Sequence, residues 1–351
     1  MPKRPTLADV SRVAGFSVYT VSRALSGADG VSDEARQRVL DAARDLGYVR
    51  NSAAQQLRKN TRSRVAVITA STSNAYYIEM MAGVQRVLRG AGRSAVVADI
   101  AAQGVYSPET EDAAVEGVIE SRTAGVISTL PLSAPNLRLL DQWDVPIVFV
   151  DSSPPAEALH ATASVTTDNL AASHAMGNHL ATHGYRDWLF LAYPSRWTTR
   201  APREHGLADA ATTHGARLTT VECDNDPDSA ATVLLRHLTT APQRPDVIVA
   251  GNNPLLQGAL TAVRELGLDV PSDVAMVAYD EFPWAPLIDP PMTVLNEDSA
   301  TIGERAARVL MRLIDDQVSA ELQGRSTRPA YRDGDHEQVT ASLVIRRSCG
   351  C

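Results

Sequence analysis

Cysteine is scarce in this chain, and long apolar runs are missing. Its 351 residues hold three cysteines, Cys223, Cys349 and Cys351. That is too few for a disulfide framework and offers no metal-ligand spacing, so a reducing, cytoplasmic setting is expected. Cys349 and Cys351 form a C-x-C that reads as an incidental tail. No stretch approaches the ~18 uninterrupted apolar residues of a membrane span. Met1-Pro2-Lys3-Arg4-Pro5-Thr6 leads into an amphipathic pattern with no apolar run before a cleavage site, so no secretory leader and no membrane partner are expected. The usual enzyme motifs are missing too: no G-x-G-x-x-G after a strand, no G-x-x-x-x-G-K-[ST] and no G-x-S-x-G. His160, His174, His179 and His183 lie close in sequence, with His179 and His183 at i,i+4. They make no H-E-x-x-H, and no nearby acid completes a zinc triad, so they read as surface or packing residues. Catalytic residues, metal and cofactor are all expected to be none.

Charge is unevenly distributed. The net charge is −8, yet residues 1–64 carry twelve Lys or Arg against six Asp or Glu, and the rest carry 21 against 35. A small basic module on an acidic body suggests that the module meets a polyanion, with nucleic acid the first candidate. A hydrophobic content of 44% with 21% charged residues is ordinary globular composition, and the length suits two or three domains.

The basic segment has helical punctuation. Thr6 stands as N-cap before Leu7, Val10, Val13 and Ala14, and Gly15 interrupts. Ser17 caps a second helix with Val21, Ala24 and Leu25 inward. Ser32 caps a third, to about Leu46, with Ala35, Val39, Ala42, Ala43 and Leu46 inward; Gly47 ends it. Two short helices about a glycine turn with a supporting third describe an all-α helix-turn-helix.

The run Thr6-Leu7-Ala8-Asp9-Val10-Ser11-Arg12-Val13-Ala14-Gly15-Phe16-Ser17-Val18-Tyr19-Thr20-Val21-Ser22-Arg23 resembles the DNA-binding headpiece of the LacI (lactose repressor) family. Val31-Ser32, Leu46-Gly47-Tyr48 and Asn51-Ser52-Ala53-Ala54-Gln55-Gln56-Leu57 extend the likeness. It implies that Val18 and Tyr19 discriminate bases in the major groove and that Arg23 contacts operator one turn later. Val18 offers a surface for a thymine methyl, and the Tyr19 hydroxyl donates or accepts. Thr6, Ser17, Thr20 and Ser22 suit phosphates. In the family a short hinge helix follows, folding in the minor groove. Asn51 and Ala54 belong to it here, and Leu57 matches the leucine that wedges a base step.

Beyond Arg64, apolar runs alternate with helical stretches. Strands are expected at 65–68, 95–97, 125–128 and 146–150, then at 188–191, 218–221, 247–250 and 274–277, with a helix near 77–91. Buried strands bridged by helices imply parallel sheets covered on both faces, and two series imply two α/β subdomains about a cleft. Spacing alone also fits a dehydrogenase or a receiver-like fold.

This body resembles the same family, whose core shares the fold of periplasmic sugar-binding proteins. The segments implied are a headpiece at 1–50, a hinge helix and linker at 51–62, one subdomain from 63–163 and 294–325, and the other from 164–293 and 326–351. Ser73-Asn74-Ala75-Tyr76-Tyr77 matches the loop where the family often sets an aromatic pair against the effector. Arg203-Glu204-His205-Gly206-Leu207 matches an R-x-x-G whose arginine grips effector oxygens bidentately. Gly251-Asn252-Asn253 stands where Ala-Asn-Asp is usual, and Asp280-Glu281 where Asp-Asp is usual. Those departures alter the cleft charge. Tyr76, Tyr77, Asp151, Trp197, Arg203, Asn252 and Asp280 are the expected effector residues, with Trp197 and Trp284 available as an apolar platform. Asp168-Asn169 reads as a helix start at a hinge, with Asp168 as N-cap.

Together these imply a homodimeric transcriptional repressor that reads a pseudo-palindromic double-stranded operator and answers to a small effector, with a sugar, polyol or sugar acid favoured. No leucine heptad extends past residue 348, which disfavours a coiled-coil tetramer. A solute-binding protein and an enzyme with an attached DNA-binding module are the rival readings.

Overall fold

Capping residues set the boundaries of the three N-terminal helices. The computed structural model describes residues 5–49, 63–69, 72, 74–101, 106–155, 158 and 161–351. Helix α1 (Leu7–Ala14) begins at Thr6, whose side chain accepts from the Asp9 amide while the Asp9 carboxylate accepts from the Thr6 amide, a reciprocal capping box. Gly15, at φ 75°, ends it. Ser17 caps α2 (Val18–Ser26) and Ser32 caps α3 (Asp33–Asp45), each accepting an amide three residues on. Val10, Ala14, Val21, Ala24, Val39, Ala42 and Ala43 pack into one core. Arg36 of α3 donates to the carbonyls of Ala24 (2.9 Å) at the end of α2 and of Ala28 (2.8 Å) in the loop after it, which ties α3 to that turn. These residues lie in one compact unit, Met1–Thr61; the second unit is Arg62–Cys351.

The second unit is built on two six-stranded sheets among the described residues. The first draws on β1 (Arg64–Thr69), β2 (Ser94–Asp99), β3 (Gly125–Ser128), β4 (Ile147–Val150), β5 (Ala163–Thr167) and β11 (His336–Val339), in the order β11-β5-β4-β3-β1-β2. All its pairings are parallel. Helices α4 (Ala75–Gly90), α5 (Pro108–Glu120) and α6 (Ala134–Gln142) connect its first four strands, and α11 (Ser299–Leu322) packs on α4 and on β3 to β5. The second sheet holds β6 (Asp187–Ala192), β7 (Arg217–Glu222), β8 (Val247–Ala250), β9 (Ala275–Tyr279), β10 (Thr293–Asn296) and β12 (Ser342–Val344), in the order β12-β10-β9-β8-β6-β7. Only β12 runs antiparallel to its neighbour. Helices α7 (Asn169–Thr182), α8 (Arg200–Thr213), α9 (Pro227–Thr240) and α10 (Asn253–Glu265) serve this sheet. Every residue of β3, β4 and β8 is buried, as a parallel sheet covered on both faces requires. An α-helical headpiece and a periplasmic-binding-protein-like core of two α/β sheets are the architecture expected.

The chain crosses between the sheets after β5, after β10 and after β11, which moves the expected segment ends. Residues 164–167 belong to the first sheet, 294–296 to the second, and 336–339 return to the first. The reason is local. Ala-Ser-Val-Thr-Thr lacks the apolar run of a buried strand, yet all five residues are buried.

The C-x-C tail is also not incidental in its packing. Cys349 is fully buried, and its sulfur and that of Cys351 lie against His179 and His183 of α7. The expectation of unrelated histidines and cysteines fails because β10–β12 pairing carries residues 346–351 back to α7.

Candidate functional site

The outer surface of α2 is arranged for contact. Tyr19 is 70% exposed and Val18 48%. Arg23, one turn on, donates to the Tyr19 hydroxyl at 3.0 Å and to the Asp29 carbonyl, and its guanidinium lies 5.7 Å from the Tyr19 ring centre. The two side chains are thus held side by side on one face. Ser17 and Thr20 share a hydroxyl contact at 2.9 Å beside the helix start, while Ser22 is half-buried. Thr6 spends its hydroxyl on the Asp9 carboxylate at 2.7 Å, and these bonds with Arg12 hold that carboxyl well below its usual range. Asn51, Ala54 and Leu57 lie outside the described residues.

A narrow cleft, partly open to solvent, lies in the second unit. Tyr76, Tyr77, Asp151, Trp197, Arg203, Asn252 and Asp280 all line it, so the structure brings the seven expected residues together. Asn74, Tyr193, Thr199 and Asn225 also line it; these were not anticipated. The two aspartates are counterparts. Asp151 follows β4 at φ 52° and Asp280 follows β9 at φ 69°, each turning its chain at the end of the equivalent strand of its sheet. Left-handed backbone at non-glycine residues costs roughly 1 kcal/mol or more, and aspartate tolerates it better than most.

Arg203 organises the cleft. Gly206 permits this: a Cβ there would fall 2.6 Å from the Leu170 carbonyl, so α8 approaches α7 closely enough for Arg203 to reach Asn169. Its Nε donates to Asn169 Oδ1 at 2.6 Å, Nη1 to the Gly251 carbonyl at 2.8 Å and Nη2 to Glu297 Oε1 at 2.7 Å. Its plane lies 4.3 Å from the Tyr279 ring centre. Asn169 opens the helix after the first crossing and Glu297 sits in the second, so one guanidinium ties both. Three of its five N–H groups are spent in this way. The remainder face Asp280 at 3.9 Å and Asp151 at 4.0 Å, beyond hydrogen-bond reach.

Three carboxyls around one cation are costly to bury. Burial, opposed by Arg203 and reinforced by Glu297, lifts Asp151 to about 7. Burial and the Glu297 charge likewise push Asp280 well above the usual range. Burial works against the charge on Arg203, but Glu297 chiefly outweighs it and keeps it protonated. Several buried polar atoms have no hydrogen-bond partner among the described residues: Tyr76 Oη, Trp197 Nε1, Asp151 Oδ1 and Glu297 Oε2. Tyr77 donates to Asp151 Oδ2 at 3.3 Å.

Some expectations take another form. Asn252 caps α10, accepting from the Leu255 amide at 3.1 Å, and its side-chain amide donates to Asn225 at 2.7 Å. Asn253 is buried and reaches Asn74 at 3.4 Å. Glu281 pairs with Arg346 at 2.7 Å instead of charging the cleft. Trp284 packs on Phe282 at 4.0 Å between ring centres and is not a lining residue. Asp168 is the N-cap of α7, as expected. Glu297 was missed because it lies between a strand and a helix start, with no motif around it.

Known proteins share these features. Residues 6–51 match the model of bacterial regulatory proteins of the lacI family, and residues 178–349 match that of a periplasmic binding protein-like domain. The transcriptional regulator GntR of Pseudomonas aeruginosa is 29% identical over 323 residues, covering 89% of this chain and 90% of that protein. The transcriptional repressor PurR of Mannheimia succiniciproducens is 25% identical over 351 residues, covering 98% of each. This chain belongs to the LacI family. It is a transcriptional regulator with a helix-turn-helix DNA-binding domain. In fold it is similar to the lac repressor dimer bound to operator and the anti-inducer ONPF, at TM-score 0.78 and 24% identity over 99% of both chains. A CelR–cellobiose complex superposes at TM-score 0.68 with 26% identity, over 98% of this chain and 100% of that one. Among the described residues, no helix is long and apolar enough to cross a membrane.

Proposed function

We propose that this LacI-family regulator is a homodimeric repressor that reads a pseudo-palindromic operator, and that a neutral sugar or polyol in the Arg203 cleft sets its grip. Val18, Tyr19 and Arg23 read base edges, with Thr6, Ser17, Thr20 and Ser22 toward phosphates. Asn51, Ala54 and Leu57 supply the minor-groove hinge. The segment plan of headpiece, hinge and two subdomains is kept, with the crossings placed after β5, β10 and β11. Dimerisation is supported by the exposed apolar side chains of Val96 and Val97 on the edge strand β2 and of Ile78 on α4.

One observation carries the effector reading. Among the lining residues, the unspent N–H groups of Arg203, Tyr76 Oη, Trp197 Nε1 and Asp151 Oδ1 are donors and acceptors without a match. A mixture of donors with a carboxylate acceptor suits hydroxyls, which both donate and accept, and the indole of Trp197 suits a sugar face. Glu297 already pairs with the Arg203 guanidinium at 2.7 Å, which leaves no unpaired cation among the lining residues for a sugar acid. The cellobiose named with the CelR structure is a neutral sugar of this class. A hydroxyl lying between Asp151 and Arg203 would bridge the two halves and shift the open–closed equilibrium by its differential affinity. The test is to select an operator from random duplexes and titrate the complex with neutral sugars, polyols and sugar acids. A neutral member that changes operator affinity tenfold or more supports the proposal; a response confined to acids or to nucleosides refutes it. A steep fall of operator affinity with salt separates this reading from a solute-binding protein.

A further inference from the structure

We infer that His179, His183, Cys349 and Cys351 form a tetrahedral zinc-type metal site, closed by four protein ligands, that staples the C-terminal segment to α7. The ligand atoms of all four residues lie within 4.8 Å of one another. His179 Nε2 is 3.4 Å from His183 Nε2 and 3.4 Å from Cys349 Sγ. Cys351 Sγ is 3.4 Å from His183 Nε2 and 3.9 Å from His179 Nε2. With Zn–N near 2.05 Å and Zn–S near 2.3 Å, the edges of a tetrahedron are ~3.3 Å between nitrogens, ~3.6 Å between nitrogen and sulfur and ~3.8 Å between sulfurs. The four separations given lie close to those edges, and the two involving Cys349 with Cys351 and with His183 fall within 4.8 Å.

Three local features build this geometry. His179 and His183 stand one turn apart on α7, an H-x3-H that puts both imidazoles on one face. Gly350 lies between the cysteines at φ 96°, and a Cβ there would meet the Tyr185 hydroxyl at 2.8 Å. Glycine thus permits the reversal that turns both sulfurs to the same point. Surrounding groups fix the ligands: Tyr185 donates to the Cys349 carbonyl at 2.9 Å and stacks on His183 at 5.4 Å between ring centres, and Thr293 Oγ1 lies 3.1 Å from Cys349 Sγ. Two thiolates with two imidazoles select a borderline-soft divalent ion such as zinc over magnesium or calcium. Four protein ligands leave no open position, so the site is structural and not catalytic.

The reduced full-length chain, stripped with chelator, is titrated with zinc and separately with cobalt(II). One equivalent per chain should bind, the cobalt form should show thiolate charge transfer and the visible bands of a tetrahedral ion, and zinc should raise Tm. Cys351→Ser replaces an exposed side chain and His183→Asn a half-buried one, so folding should survive; each should lose the charge-transfer intensity or weaken zinc binding at least tenfold, and lose most of the Tm rise. Octahedral-type cobalt spectra, binding well below one equivalent, or unchanged zinc binding in both variants would overturn the site. A Cys349–Cys351 disulfide that persists under thiol reductant would overturn it as well.

Discussion

The headpiece and the cleft use side chains in opposite ways. Tyr19 is 70% exposed, on a helix whose fold depends on small buried alanines and valines beneath it. Arg203 is 2% exposed, and the surrounding fold is tied to its charge. A surface that reads DNA can therefore be altered with little change in stability. The cleft cannot: its recognition groups also hold the crossings between the two sheets.

That contrast is broken most forcefully at Glu297. Glu297→Ala leaves a buried guanidinium without its nearest carboxylate and should cost about 3–5 kcal/mol in urea denaturation of the core. Glu297→Gln, which keeps an acceptor, should cost clearly less; equal losses would mean that the charge is not what matters there.

Asp151 gives the contrast a pH signature. Its carboxyl is raised from 3.8 to about 7 by burial, so the folded chain holds a proton that the unfolded chain releases. Stability from this group is present at low pH and falls as pH rises from about 4 to about 7. Asp151→Asn should therefore gain on the wild type across pH 5–7 and run parallel above it, as followed by Tm. A difference independent of pH would show Asp151 ionised throughout.

Tyr19→Ala should erode discrimination between operator and a one-base variant by about 1–3 kcal/mol, measured by competition binding. It should leave Tm unchanged. A loss of stability without a loss of discrimination would reverse the comparison. Thr6→Ala is the smallest change, removing one side of the capping box for about 1 kcal/mol of headpiece stability.

The two regions also differ in how far they could be read from sequence. Headpiece structure is local: Thr6, Ser17 and Ser32 are caps within three residues of the amides they accept, and Gly15 marks its turn unaided. The strands with apolar runs were legible for the same reason. β5 and β10 were not, because their burial comes from neighbouring strands and not from their own composition. Of the seven expected cleft residues, Tyr76, Tyr77, Arg203, Asn252 and Asp280 came from motifs of the family, Asp151 from its place at the end of an apolar strand, and Trp197 from its nearness to the expected cleft loops. Glu297 and Asn169 act on Arg203 through contacts that sequence spacing does not reveal. Likewise, His179 and Cys349 meet only because β12 pairs antiparallel with β10 and returns the tail to α7.

The central claim is that Arg203 couples a neutral polyhydroxyl ligand to operator binding. A thermal-shift screen of sugars, polyols, sugar acids and nucleosides, repeated on Arg203→Ala and followed by operator titration with any hit, tests it most directly. A ligand at ~100 Kd should add about 2.7 kcal/mol to the wild type. The account predicts a neutral hit that shifts both Tm and operator affinity in the wild type, with both responses lost in Arg203→Ala while that variant still binds operator. An undiminished response in Arg203→Ala would contradict it.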